Sequence, residues 1–287
     1  MSKHAYLIMA HSQFDQLKKL IMLLDDPRNY IFVHVDAKSH SFDQNDFSNI
    51  LTKAKLTFIN RKKVTWGAYS QVRCELELLE SATTEYHDYY HLLSGSDLPI
   101  KRQDHIHAFF EANQGIELLH LHDGVMETKN YRDRIQVYHL LQELIGNKKS
   151  DSFLFNIERG LLKLQEILRV DRLKNTNLKY QKGTNWFSIT HELAQYVVSE
   201  APQIRKMYKL TKCADEVFLH TLAWNSQFRD RIRSDSKRLI DWKRGRPYTF
   251  RLEDFEALMS SSCFWARKFN EDIDPKIVSR IFDQFVN

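Results

Sequence analysis

Two carboxylates stand where a folded chain often delivers an acid to a ligand. In "IFVHVDAKS", residues 31–39, Asp36 directly follows an apolar run. In "YYHLLSGSDLPIK", residues 89–101, Asp97 follows the small-residue turn Ser94-Gly95-Ser96. An acid at a strand end accepts hydrogen bonds from a ribose hydroxyl or a base N–H; its alternative use is to cap the segment that follows. "VTWGAYSQ", residues 64–71, enters a helix through Trp66-Gly67. The unpaired N–H groups of a helix start suit an anion, with Ser70 as cap or as ligand.

"TKCADEVFLHTL", residues 211–222, puts Asp215-Glu216 at the start of an apolar-faced helix. The helix dipole alone accounts for acids there. The chemical alternative is that one of them works as a general base, a task that suits Glu. Further on, "DWKRGRPYTF" and "CFWARKF" bring Lys243, Arg244, Arg246, Arg267 and Lys268 among aromatic residues. Such cations either form a solvated face or neutralise a diphosphate, Arg through its bidentate fork. His120 and His122, with Asp123 beside them, and the pair His105 and His107 have metal-compatible spacing on one strand or helix, but no third ligand is fixed. Asp272-Ile-Asp274 is a literal D-x-D, yet it precedes Pro275 and reads as the cap of the last helix.

The elements that must hold these groups alternate. Apolar runs predict strands at 5–9, 31–35, 56–59, 89–93 and 116–121, with helices at 14–24, 70–81 and 105–112 between them. In the helix over 70–81, Val72, Leu76 and Leu79 share one face, with Glu75, Glu77 and Glu80 mostly off it. Strand alternating with helix implies an α/β fold with a mostly parallel sheet covered on both faces, its ligands at the carboxyl ends of the strands. Asp36 and Asp97 are then candidates for one pocket. Residues 125–180 break the pattern with long charged helical stretches such as "FNIERGLLKLQEILRV", which predicts a helical insertion or acceptor-side subdomain within a single domain, 1–287. A strand near 186–189, a short strand in "LIDW" and helices at 252–259 and 275–285 complete the chain.

Whole-chain numbers narrow the function classes. The 287 residues carry a net charge of +5, and the basic residues form no continuous block of the kind a nucleic-acid arm needs. Cys74, Cys213 and Cys263 are odd in number and form no C-x-x-C, so neither a disulfide framework nor a zinc ribbon is expected. No window holds the roughly 18 apolar residues of a spanning helix. The expectation is a cytoplasmic protein that touches a membrane at most from the side, at its inner face.

In order along the chain, "AYLIMAH", "IFVHVDAKS", "VTWGAYSQV", "YYHLLSGSDLPIK", "KGTNWFSIT", "CADEVFLHTL", "IDW" and "FWARKF" resemble the Core-2/I-branching β-1,6-N-acetylglucosaminyltransferase family, which includes the peptide O-xylosyltransferases. The resemblance implies a GT-A-like nucleotide-sugar fold. It implies inverting transfer from a UDP-sugar, GlcNAc before xylose or glucuronic acid, to a hydroxyl of a glycan or glycolipid acceptor. The expected lack of a signal or membrane anchor, a departure from the animal members, adds the expectation of a bacterial enzyme of surface polysaccharide or glycolipid synthesis. The resemblance also implies no metal and no other cofactor. By the same resemblance Glu216 is the base, Asp36 meets the uridine part, and Asp97 touches the donor sugar where related folds keep a metal-binding pair. Lys268 holds the diphosphate with a second cation, Arg246 before Arg244, while Trp66 and Trp186 border the donor. A non-catalytic nucleotide-sugar or glycan-binding protein is the alternative from another class.

Overall fold

The computed structural model describes residues 2–122, 129–147, 153–174 and 176–286. Ten strands are present among them: β1 (His4–Ala10), β2 (Asn29–Val35), β3 (Lys55–Phe58), β4 (Tyr89–Ser94), β5 (Asp97–Pro99), β6 (Glu117–Leu121), β7 (Gly183–Thr190), β8 (Ile232–Arg233), β9 (Arg238–Ile240) and β10 (Trp265–Arg267). The helices are α1 (Phe14–Leu23), α2 (Tyr69–Ala82), α3 (Gln103–Ala112), α4 (Lys129–Gln136), α5 (Gln142–Ile145), α6 (Phe153–Ile167), α7 (His191–Ser199), α8 (Ala201–Tyr208), α9 (Phe218–Trp224), α10 (Phe255–Ser260) and α11 (Pro275–Val286). Seven strands form one sheet in the order β3-β2-β1-β4-β7-β6-β8, and β5-β10-β9 form a second. In the large sheet β7 runs against both β4 and β6, while the other pairings are parallel. This is the α/β, mostly parallel, helix-flanked fold that the alternation predicts.

Apolar residues cover both faces of the large sheet. Tyr6, Ile8 and Ala10 of β1 join one buried cluster with Leu17, Leu20 and Ile277, while Ala5 and Leu7 join the other with Val72, Leu79 and Phe218. Alternation of side chains along a strand buried on both faces explains why β1 reads as a continuous apolar run. The antiparallel β7 has a further effect. It brings its own N-terminal end, Gly183, to the edge where β1, β2, β4 and β6 finish. All five strands therefore open on the same side.

Some sequence expectations shift by a few residues, and some change in kind. The strand at "LIDW" ends earlier, at Ile240, and Trp265–Arg267 is a strand that the sequence pattern did not signal. It has only three residues, too few to show a period. Glu75 is not off the buried face of α2. It is fully buried, both carboxylate oxygens lack a hydrogen-bond partner, and burial pushes it well above the ordinary carboxylate range. In the 125–180 region the described residues include the helices α4, α5 and α6; Asp123, 125–128, 148–152 and Asn175 lie outside the described residues. Asp274 does cap α11, accepting from the Lys276 and Ile277 N–H groups at 2.9 and 3.2 Å. No helix among the described residues is long and apolar enough to cross a membrane.

His107 joins a polar seam inside this core. It pairs through Nε2 with Asn29 Oδ1 at 2.9 Å and stacks on His4 with ring centroids 3.9 Å apart. Burial lowers it from 6.5 to about 4, the Arg28 charge adding to the effect. The folded state therefore holds it neutral where the unfolded chain would bind a proton. Its contribution to stability is complete above pH 6.5 and is lost as pH falls toward 4. Replacing His107→Gln should remove up to about 1.4 kcal/mol per pH unit of acid sensitivity in that window, read from urea unfolding at several pH values. Parallel wild-type and variant curves would contradict this account.

Candidate active site

A cavity of ≈ 790 Å³ opens over the shared strand edge. Its wall takes Met9, Ala10 and His11 from the end of β1, His34 and Asp36 from β2 and the residue after it, and Ser94 from β4. His122 follows β6, Lys182 to Trp186 begin β7, and Trp66, Gly67 and Gln71 come from the entry to α2. The remainder is Arg134 of α4, the turn carrying Cys213, Asp215 and Glu216, the loop with Trp242 and Arg246, and Arg267 of β10. Five Lys or Arg side chains (Lys38, Arg134, Lys182, Arg246 and Arg267) face three carboxylates (Asp36, Asp215 and Glu216), so the lining favours an anion.

Asp97 is not in that wall. It is 1% exposed, and its carboxylate accepts from Ser94 N at 2.8 Å, Ser94 Oγ at 3.0 Å and Arg267 Nη1 at 2.7 Å. Expected at the donor sugar, it instead holds the Arg267 guanidinium, because β10 pairs antiparallel to β5 with Arg267 directly opposite Asp97. Opposite charges at facing positions attract across a ladder. The guanidinium also lies over the Trp186 ring, 4.6 Å from its centroid, and donates to Ser94 Oγ. Trp186 therefore borders the cleft while it fixes the cation.

Lys268, given the diphosphate role by resemblance, does not line the cavity; Arg267 beside it does. The Lys268 charge still reaches the site. With burial, which comes first, and with the Arg267 and Lys38 charges, it lowers His11, and Asp36 opposes the shift. Between the two other candidates the structure separates roles. Arg244 is tied to Asp241 at 2.6 Å and Asp254 at 2.7 Å, whereas Arg246 lines the cavity. Asp36 does both things its position allows. It accepts the Lys38 N–H at 2.9 Å, as a cap would, and still presents its carboxylate to the cavity.

The start of α2 is already occupied. Glu143 of α5 accepts from Ser70 N at 2.7 Å and Ser70 Oγ at 2.9 Å, so the chain's own carboxylate takes the place a bound phosphate would. The entry loop serves shape instead. Gly67 has φ +67, and a Cβ there would stand 3.2 Å from Cys213 Sγ; this turn aims Trp66, 53% exposed, along the cavity rim. Trp242, 60% exposed, also lines the cavity. Two exposed indoles in one cleft give flat apolar faces for a base or a sugar ring.

Glu216 closes the 3₁₀ turn Ala214–Glu216 and is one-third exposed to the cavity. Arg134 Nη1 and Lys182 Nζ both reach its Oε2 at 3.1 Å, which fixes the carboxylate's orientation. Asp215 differs. Burial pushes it up to about 7, the Glu216 charge adding to this, and its Oδ1 has no hydrogen-bond partner. Cys213 in the same turn is no nucleophile, since burial raises its thiol to about 12. Among the described residues no three His, Cys, Asp or Glu side chains cluster to hold a metal ion. His107 belongs to the core seam, and His105 packs edge-on to Phe264.

Residues 4–260 match the family model described as Core-2/I-branching enzyme. The chain belongs to the Core-2/I-branching enzyme family. Within that family it is 24% identical to xylosyltransferase 2 of Bos taurus, a match that covers 96% of this chain and 33% of the bovine protein. It is likewise 24% identical to xylosyltransferase sqv-6 of Caenorhabditis elegans, over 90% of this chain and 33% of the nematode protein. The chain thus spans about a third of the length of the curated relatives it matches. Among solved structures, mouse xyloside xylosyltransferase 1 in its apo form aligns over 93% of this chain and 97% of that one, with TM-score 0.40 and 10% identity.

For this Core-2/I-branching enzyme, cleft residues that sequence reading left without a role include Trp242, Arg134, Lys182, His11 and Gln71. Lys182 and His11 stand at the ends of recognisable motifs, "KGTNWFSIT" and "AYLIMAH". Arg134 lies in a helix whose pattern carries no local signal. The buried pair sets a stability test. Asp97→Ala should cost about 3 kcal/mol, because it strips a partly buried guanidinium of its partner. Urea unfolding measures the loss, and an unchanged midpoint would show that the pair does not hold this edge together.

Proposed function

We propose that this chain transfers a sugar from a UDP-sugar to a hydroxyl of a glycan acceptor, with inversion and without a metal ion. The observation that carries the reading is the cleft itself: a carboxylate, Glu216, and the cations Arg246 and Arg267 line one cavity at the carboxyl edge of a parallel sheet in a Core-2/I-branching enzyme. Exposed Trp66 and Trp242 suit the flat parts of a nucleotide sugar, and Asp36 suits a hydroxyl or base N–H. The helical segment 125–180, which supplies Arg134 beside Glu216, forms the acceptor side.

In this reading Glu216 takes the proton of the acceptor hydroxyl. The acceptor oxygen bonds to the anomeric carbon from the face opposite UDP as the bond to the phosphate oxygen breaks. UDP departs with the electron pair, and Arg246 and Arg267, with the Lys268 charge behind them, meet the developing negative charge. Fixed cations do here what a divalent ion does elsewhere. The relatives named as xylosyltransferases bring xylose forward as the transferred sugar beside the GlcNAc that the wider resemblance implies.

A donor panel of UDP-xylose, UDP-GlcNAc and UDP-glucuronic acid tests the reading through UDP release with a glycan acceptor. Glu216→Gln should lower turnover by about 10²–10⁴-fold, with UDP affinity within about twofold by calorimetry. Retained turnover removes Glu216 as the base, and UDP binding with no turnover on any acceptor favours a non-catalytic binder. Arg267→Ala and Arg246→Ala should each weaken UDP binding by about tenfold or more, in line with the loss of one charge-assisted contact. Activity should also survive EDTA; its loss, restored by manganese, would assign the diphosphate to a metal.

A further inference from the structure

Helix α6 is apolar on its outer face as well as on its inner one. Its inward side carries half-buried Leu154, Phe155, Leu161 and Leu162 around two buried polar residues: Gln165 accepts the Tyr138 N–H at 2.8 Å and donates to the Tyr138 carbonyl at 2.9 Å, while Glu158 accepts the Leu141 N–H at 3.1 Å and faces His139 at 3.5 Å. A second set of apolar residues points outward. Phe153 is 78% and Ile167 77% exposed, and Ile157, Leu164 and Leu168 are exposed with them. At 3.6 residues per turn these five fall on one stripe, and a Cβ added at Gly160 in the middle of that stripe would meet nothing within 4 Å. Leu140 and Leu144, on the adjoining loop and α5, are exposed as well. An apolar face this continuous is not left to water without a partner.

Charge identifies the partner. Exposed Arg159 and Lys163 run along one side of the stripe, with Glu166 beyond them, and Arg169 follows the helix end. Beyond Tyr138, which α6 grips, exposed Arg205, Lys206 and Lys209 rim a shallow basic hollow. An apolar stripe with a row of cations beside it is the composition of a helix that lies in the interface of an anionic bilayer. Fifteen residues are too few to cross one. A second copy of the chain fits less well, because a symmetric contact across α6 would set Arg159 and Lys163 against their own copies.

We infer that the outer face of α6 docks in the plane of an anionic lipid bilayer. The docked face is tied to the cleft. α5 bridges them, since Gln142 Nε2 donates to the Trp66 carbonyl at 3.2 Å and the loop before it is held by Glu158. A protein seated this way holds its cleft at a fixed place above the lipid, where a lipid-linked acceptor is presented. The inference does not rest on the reading of the cleft, because lipid binding is scored without turnover.

The test is flotation of the full chain with vesicles of equal parts phosphatidylcholine and phosphatidylglycerol, against phosphatidylcholine alone. Wild type should float with the anionic vesicles. Leu164→Gln with Ile167→Gln should lower partitioning by about tenfold or more, with no change in thermal midpoint since both side chains are exposed. Arg159→Gln with Lys163→Gln should lower it about tenfold on anionic vesicles only. Absence of flotation, or flotation indifferent to both double variants, overturns the inference. So does a wild-type dimer in sedimentation that the Leu164/Ile167 variant converts to monomer without any vesicle binding.

Discussion

The ion pair between Asp97 and Arg267 is the contact on which this edge of the cleft depends. A guanidinium left to itself at the rim of a cavity would sample many rotamers and bind an anion poorly, since ordering it would cost entropy at the moment of binding. Here the cost is met in folding. The carboxylate is buried and saturated, the indole of Trp186 covers the guanidinium from one side, and the Ser94 hydroxyl bridges the two. What remains for a ligand is a cation already aimed. The charge does not vanish in the pair, because the rest of the lining keeps more cations than carboxylates.

That pair exists only because of strand register. Shifting β10 by one residue against β5 would turn Arg267 to the other face of the small sheet and leave the buried Asp97 without its cation. Two adjacent basic residues differ in role for the same reason: Arg267 closes β10 and sits in the ladder opposite Asp97, whereas Lys268 lies beyond the strand. A motif read along the chain treats them as interchangeable, whereas the ladder does not.

How much of this was legible follows from the range of the interactions. The β1–α1–β2 and β4 segments were readable because burial on both faces writes a continuous apolar run into the local sequence. Asp36 and Glu216 were readable because strand ends and helix starts are local features too. The hold of Asp97 on Arg267 spans 170 positions, and the occupation of the α2 start by Glu143 spans 73, so no window of sequence contains either. Glu75 misled for a related reason. A charged residue in an amphipathic helix reads as solvent-facing, and only the packed structure shows the neighbour, Asp215, that shares its burial.

Three carboxylates near one turn show how environment divides labour among like groups. Glu75 is sealed in the core without a hydrogen bond, and burial, with the charge of Asp215, drives it far above the ordinary range. Asp215 lies at the buried wall and is raised to about 7. Glu216 alone of the three is substantially open to the cavity, and two cations fix its position. Under the proposed function a base must reach its substrate before its affinity for a proton matters, so access favours Glu216 over Asp215 even though a group near 7 would otherwise suit proton transfer at neutral pH. The cations that orient Glu216 come from α4 and from the residue before β7, one on the helical segment and one on the sheet edge. The carboxylate therefore stands at the seam between the two, where, under the proposed function, an acceptor hydroxyl coming from the helical side would meet a donor laid along the strand ends.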